Sequence, residues 1–215
     1  MIFDLRQVQR VSGVEITGAI HVGAFVGEEL REYRSLALDN TILFEPQKKL
    51  YEMVKFKCWP TEKVFNIALG SEEQTVDMFI SDRKGGVSQG AGASSSILEP
   101  AHHLIEHPEV TFPDRQAVAV KRFDQFVKEE NLDISDYNLL NVDVQGYELE
   151  VFKGVGDYLN QIELIIAEVN RAKMYKDCPL IEDIDDYLFT FGFKRLFVEW
   201  QSQSWGDALY VKEKK

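Results

Sequence analysis

The chain has 215 residues, 45% of them hydrophobic and 28% charged, enough apolar sequence for one substantial core and too much for a disordered segment. With 24 Lys+Arg against 36 Asp+Glu, the net charge is -12. Such a surface repels phosphate backbones and anionic lipid, so neither nucleic acid nor a membrane is expected as a partner.

In chain order, Gly18 to Gly23 is a short apolar run ending in glycine, and Glu28 to Leu38 has helical spacing. Thr41 to Phe44 reads as a second strand, Gln47 to Phe56 as a second helix and Lys63 to Ala68 as a third strand. Thr75 to Ile80 alternates at period two, as a hairpin strand does. Gly85 to Ser96 then holds four glycines and four serines in twelve positions. That composition supports neither a helix nor a core strand, and it predicts a long loop over an active site. Ala117 to Val120 is a strand, Phe123 to Glu130 a short helix, and Tyr137 to Val142 a buried strand ending at Asp143. A helix starts at Glu148, and Ile162 to Ala167 forms a strand ending at Glu168. Leu180 to Phe191 is helical with Gly192 as its stop. Phe193 to Val198 and Ala208 to Val211 close as an antiparallel pair. Strands alternating with helices imply one α/β domain over 1–215, a mostly parallel sheet with crossover helices.

The ends of the chain and the cysteines add little. Met1 to Arg6 brings an acid early and no long apolar run, so no signal peptide is expected. No stretch approaches the ~18 apolar residues of a membrane span. Cys58 and Cys178 fit no metal-ligand spacing, and two reduced thiols in a cytoplasmic protein are expected.

Three strands end in residues that do more than pack, and ligands of open parallel sheets sit beyond such ends. His21-Val22-Gly23-Ala24-Phe25-Val26-Gly27 would let the backbone turn tightly against a ligand, although a ligand-free strand-to-helix turn explains two glycines equally well. Its spacing matches neither the dinucleotide fingerprint nor a phosphate loop. Glu45, before Pro46, ends the next strand about twenty residues on, where an acid can accept both hydroxyls of a ribose. Asp143 ends the apolar run Leu139 to Val142, and Gly146 turns the chain into a helix that opens with Glu148 and Glu150.

Taken in order, these blocks resemble the FkbM-type methyltransferases. The resemblance rests on His21-Val22-Gly23-Ala24-x-x-Gly27, Phe44-Glu45-Pro46, Asn66-Ile67-Ala68-Leu69-Gly70 and Ser94-Ser95-Ser96-Ile97-Leu98. Its most specific block is Val142-Asp143-Val144-Gln145-Gly146-Tyr147-Glu148-Leu149-Glu150-Val151-Phe152-Lys153-Gly154. It implies a class I, Rossmann-like fold, a mostly parallel seven-stranded sheet with helices on both faces. It also implies an S-adenosylmethionine-dependent methyltransferase, usually acting on oxygen, with sugar hydroxyls of glycans or small molecules as common acceptors. By position, His21, Gly23, Ala24 and Gly27 would pass the methionine part of the cofactor. Glu45 and Pro46 would hold the ribose end, Asn66, Ile67 and Ala68 would border the adenine, and Asp143 would stand near the methionine amine. The chain departs from the family at His21, where Asp is frequent, and at Phe25, where Asn is frequent.

Methyl transfer asks the protein to align an oxygen with an activated methyl and to exclude water. A sugar hydroxyl is a poor nucleophile, so a base helps, and the candidates are Asp143, Glu168, His102 and His103. Asp143, Glu168 and Asn170 could alternatively gather a divalent cation, a role not favoured here. Two rival readings remain at this level. One is a nicotinamide-dependent oxidoreductase; the other is a cofactor-binding module without turnover.

Overall fold

The computed structural model describes residues 3–213. Helix α1 (Leu5–Ser12) opens the fold and was not predicted from the sequence. Asp4 caps it, its carboxylate accepting from the backbone N–H groups of Arg6 and Gln7 at 2.8 and 3.3 Å. Only Leu5 and Val8 of this helix are buried, too few for its period to stand out.

The main sheet uses β1 (Ala19–Val22), β2 (Thr41–Phe44) and β3 (Glu62–Phe65), separated by α2 (Leu30–Ser35) and α3 (Lys48–Lys57). A three-stranded sheet of β4 (Ala68–Leu69), β5 (Gln74–Arg83) and β6 (Val110–Lys121) follows, with the short helix α4 (His103–Glu106) between its last two strands. The chain then returns to the main sheet through α5 (Phe123–Glu129), β7 (Leu139–Val142), α6 (Glu148–Val155) and β8 (Leu164–Asn170). It ends with α7 (Ile181–Phe189), β9 (Phe193–Trp200) and β10 (Trp205–Lys212).

The strand order β3-β2-β1-β7-β8-β10-β9 contains seven strands, and β10 runs antiparallel to both neighbours. Alternation along each strand sorts the core onto two faces. Ile20, Phe44, Leu140, Val142 and Ile165 pack against Phe126, Phe152 and Leu188 of α5, α6 and α7. Ala19, Leu139, Leu164 and Ile166 pack against Leu5 and Val8 of α1 and Tyr33 of α2. From β1 the chain moves outward to β2 and β3, and later resumes on the other side at β7. The crevice beyond β1 and β7 is therefore the topological switch point, where open α/β sheets bind ligands.

The third predicted strand is corrected. It breaks after Phe65, because the Asn66 side chain turns to donate to the carbonyls of Glu45 and Pro46, both at 2.9 Å. Ala68 and Leu69 then pair with Val120 and Lys121 in the smaller sheet. Glu168 lies inside β8 rather than at its end, since Asp207, Gly206 and Trp205 of β10 continue to pair with Glu168, Val169 and Asn170. Among the described residues, no helix is long and apolar enough to cross a membrane.

Candidate active site

The turn after β1 is built by close backbone approach. The Gly23 and Ala24 N–H groups both donate to the Phe44 carbonyl at 3.0 Å, and Asp143 N–H donates to the Val22 carbonyl at 3.0 Å. Gly23 has φ +88°, and a Cβ there would stand 1.8 Å from the Asp143 carbonyl oxygen. No other residue fits. Gly154 in α6 is constrained in the same way, since a Cβ would meet the Gly70 carbonyl oxygen at 2.0 Å. The last glycine of the Asp143 block thus seats α6 on the chain after β4.

Glu45 is 2% exposed and accepts from two turns at once, Phe25 N–H at 2.9 Å and Gln47 N–H at 2.7 Å. Phe25 takes φ 48° to make its bond. Burial pushes the Glu45 carboxyl up to about 8, although both N–H groups favour its ionised form. A carboxylate has about four acceptor positions, so the two N–H groups leave acceptor capacity for a hydroxyl.

These turns border a cavity of about 320 Å³, walled by Gly23, Glu45, Pro46, Ile67, Ala68 and Asp143 among others. That volume lies within the range of about 300–1,000 Å³ usual for small-molecule sites. Met78 of β5 and Val87, Gly90, Gly92 and Ser95 of the glycine-rich segment cover it. The segment is tied at its second half: Gln47 Nε2 donates to the Gly92 carbonyl at 2.9 Å, and Ser96 forms a bridge with Phe79.

Four predicted cofactor residues do not line this cavity and support it from behind. His21 is buried against Tyr33, with ring centroids 6.0 Å apart, and burial lowers its pKa. Ala24 is fully buried in the turn, and its carbonyl accepts from Gly27 N–H at 2.7 Å. Asn66 is exposed and braces the Glu45-Pro46 backbone.

A second cavity, of about 260 Å³, adjoins the first and shares Ala93, Asp143 and Gln145 with it. Its other walls include Glu168, Tyr175, Gln201, Trp205, Asp207 and two histidines, His103 and His107. His102 is not among them. Its side chain is 41% exposed and faces Glu106 at 3.7 Å, which places the predicted catalytic His102 outside both cavities. His103 instead turns inward, its ring 5.5 Å from that of Tyr175, and burial pushes it down to about 4.

Gln145, which the sequence reading passed over, joins the two cavities. Its amide donates to Asp143 Oδ1 at 2.8 Å and to Glu168 Oε2 at 2.7 Å. Glu148 lies beneath this turn, accepting from Val144 and Gly146 N–H at 3.1 and 3.0 Å, and burial pushes it up to about 7. Among the described residues, no group of three or more His, Cys, Asp or Glu is arranged to hold a metal ion. The Gln145 amide makes Asp143 and Glu168 a bridged pair of acids.

A family model described as a methyltransferase FkbM domain matches residues 21–195. The chain belongs to the FkbM methyltransferase family. It is thus an S-adenosylmethionine-dependent methyltransferase, as the blocks around Gly23, Glu45 and Asp143 imply. It is similar to the 2-O-methyltransferase NoeI of Sinorhizobium fredii, with 25% identity over 175 residues, covering 80% of this chain and 71% of NoeI. Among solved structures it resembles the METTL16 MTase domain, with TM-score 0.54, 11% identity, and coverage of 98% of this chain and 66% of that one. It also resembles M. capricolum TrmK in complex with S-adenosyl-homocysteine, with TM-score 0.49, 7% identity, and coverage of 100% and 70%. The METTL16 likeness shows the fold. The donor set of the first cavity suits a cationic nucleoside: a tight backbone wall at Gly23, hydroxyl acceptors on Glu45 and a carboxylate at Asp143.

Proposed function

We propose that this enzyme methylates oxygen, transferring the methyl group of S-adenosylmethionine to a hydroxyl of a sugar or other small glycan acceptor. The observation that carries the reading is the meeting of two cavities at Asp143 and Gln145. The first cavity takes the cofactor, whose bound sulfonium supplies an already activated methyl group. The second receives the acceptor. Its Trp205 ring offers flat apolar surface, and Asp207, Gln201 and His107 offer polar partners. That mixture suits a ring carrying several hydroxyls, which needs both stacking and hydrogen bonds. Glu45 and the Gly23 turn bind and orient the cofactor, and the glycine-rich segment excludes water from it. The likeness to a 2-O-methyltransferase supports the same chemistry.

A screen of glycans and small hydroxylated acceptors with methyl-labelled cofactor tests this. Label is expected on an acceptor oxygen, and Trp205→Ala should raise the acceptor KM about tenfold or more, as loss of a stacking anchor does, with cofactor affinity unchanged. Label recovered only on nitrogen or carbon would reject the oxygen assignment.

A further inference from the structure

One amide holds two acids where the cavities meet. Both hydrogens of the Gln145 side chain are committed, one to Asp143 and one to Glu168. Gln145 itself is fixed on three sides. Its backbone takes φ 57°, its carbonyl oxygen accepts from the Ser96 hydroxyl at 2.7 Å, and its Oε1 lies 2.8 Å from the Tyr175 hydroxyl. Asp143 lines both cavities, whereas Glu168 lines only the second.

The groups that act directly on Glu168 are acidic or uncharged. Asp143 faces it from the end of β7, Glu148 from the start of α6 and the Tyr175 hydroxyl from the segment after β8. Asp207 is its partner directly across on β10. Two imidazoles and a guanidinium share the second cavity. His103 is held neutral by burial, His107 faces Glu109 at 4.0 Å, and Arg83 is paired with Glu109 at 3.0 Å. Burial first, and then Asp143, Glu148 and Asp207, hold the Glu168 carboxyl well above the usual carboxylate range. Two like charges this close in a dry site do not both ionise, and a positive charge placed beside them reverses the preference.

We infer that Glu168 is the proton acceptor for the incoming hydroxyl, and that cofactor binding switches it into its working form. In the cofactor-free protein Glu168 holds a proton. It releases that proton when a sulfonium charge is bound on the other side of the Gln145 bridge, and so faces the acceptor as a carboxylate. In the transfer, the acceptor oxygen bonds to the methyl carbon while the carbon–sulfur bond breaks, its electron pair remaining on sulfur. The hydroxyl proton passes to Glu168. Positive charge is then gone from the first cavity, and the protonated acid is again the favoured form. Gln145 is a positioning residue in this scheme, keeping Glu168 within electrostatic reach of the cofactor side. The inference rests on the methyl-transfer reading above.

S-adenosylmethionine and S-adenosylhomocysteine carry the same amino-acid and nucleoside groups and differ in the sulfonium charge. Calorimetric titration of the full chain with each, in two buffers of different ionisation enthalpy, counts the protons released. S-adenosylmethionine should release markedly more than S-adenosylhomocysteine, and Glu168→Gln should abolish the difference while still binding both. The affinity for S-adenosylmethionine should also climb with pH, by up to about tenfold per unit for one full proton, with a flatter curve for S-adenosylhomocysteine. Equal proton release for the two ligands, or a difference that survives Glu168→Gln, would overturn the switch and leave methyl transfer standing. Failure of both ligands to bind would instead overturn the cofactor reading beneath it. The comparison on the unmodified protein needs no variant, so the test stands even if Glu168→Gln does not fold.

Discussion

The two cavities are built by different means. The cofactor side is made by turns that directly follow β1, β2 and β7, and much of its wall is backbone: the Gly23 turn, and the Phe25 and Gln47 amides that fix Glu45. The acceptor side is made of side chains from segments far apart in the chain, Arg83, His103, Tyr175 and Trp205 among them. A wall of strand-end backbone is specified once the strand order is set, and it tolerates little change. A wall of side chains drawn from the ends of β5 and β10, a one-turn helix and the segment after β8 is fixed by less of the backbone. Its chemistry can change while the sheet stays, which is how one fold serves many acceptors.

The largest expected effect follows from the rigid half. Gly23→Ala would combine a left-handed backbone, worth about 1–3 kcal/mol of strain, with a contact of 1.8 Å to the Asp143 carbonyl oxygen. Cofactor binding should be lost and the melting temperature should fall sharply. A variant that melts normally and binds S-adenosylmethionine would refute the close packing of β1 on β7. Asp143→Asn comes next. It nearly preserves shape and removes the charge shared by both cavities, so turnover should fall about 10²-fold or more with little change in melting temperature. Full activity with a verified acceptor would reduce Asp143 to a strand cap.

This contrast also explains what could be read from the sequence. The seven-stranded sheet was legible because Ile20, Val22, Ile42, Phe44, Leu140 and Val142 form short apolar runs at βαβ spacing. Gly23, Glu45 and Asp143 were legible because each directly follows such a run. The exposed Asn66 looked like part of a strand, since its role depends on the Glu45 and Pro46 carbonyls it reaches. His102 and His103 are adjacent and chemically identical, and only the orientation of a one-turn helix decides which of them faces the cavity. Gln145 sat inside the most specific block, and its neutral amide gave no sign that two acids converge on it. The signal that could have found it was the left-handed turn implied by Gln145-Gly146 after a buried strand. Trp205 and Asp207 lie at the far end of the chain and reach the site only through the antiparallel return of β10.

A smaller effect is expected at Glu45, where the rigid half meets the ligand. Glu45→Ala should weaken S-adenosylmethionine binding by about 1.5–3 kcal/mol, the worth of charge-assisted hydrogen bonds. Part of that loss arises because Phe25 and Gln47 N–H lose their acceptor. Glu45→Gln keeps one acceptor oxygen and should fall between the two. Unchanged affinity in both variants, measured by calorimetry, would remove Glu45 from the cofactor site.

The smallest effect concerns stability, and both cavities contribute to it. Glu45 is pushed up to about 8 and Glu148 to about 7, and Glu168 is raised well above 4.5, all mainly by burial. Between the ordinary carboxylate value and these raised values, the folded protein holds protons that the unfolded chain has lost. Stability supplied by these acids is therefore full below about 4.5 and declines as pH rises. The histidines act in the opposite sense. His103 is pushed down to about 4 from 6.5, and His21 is also lowered by burial, so the unfolded chain takes up protons that the fold refuses. That penalty disappears as pH rises past 6.5. The two trends oppose one another in mildly acidic buffer, and above 6.5 only the acids act. The melting temperature of the cofactor-free protein should therefore fall between pH 6.5 and 8, by a few degrees, corresponding to on the order of 1 kcal/mol. Glu45→Gln should make the decline shallower, because a neutral amide has no proton to lose. A melting temperature that rises across this window would mean the buried acids are already ionised in the empty protein.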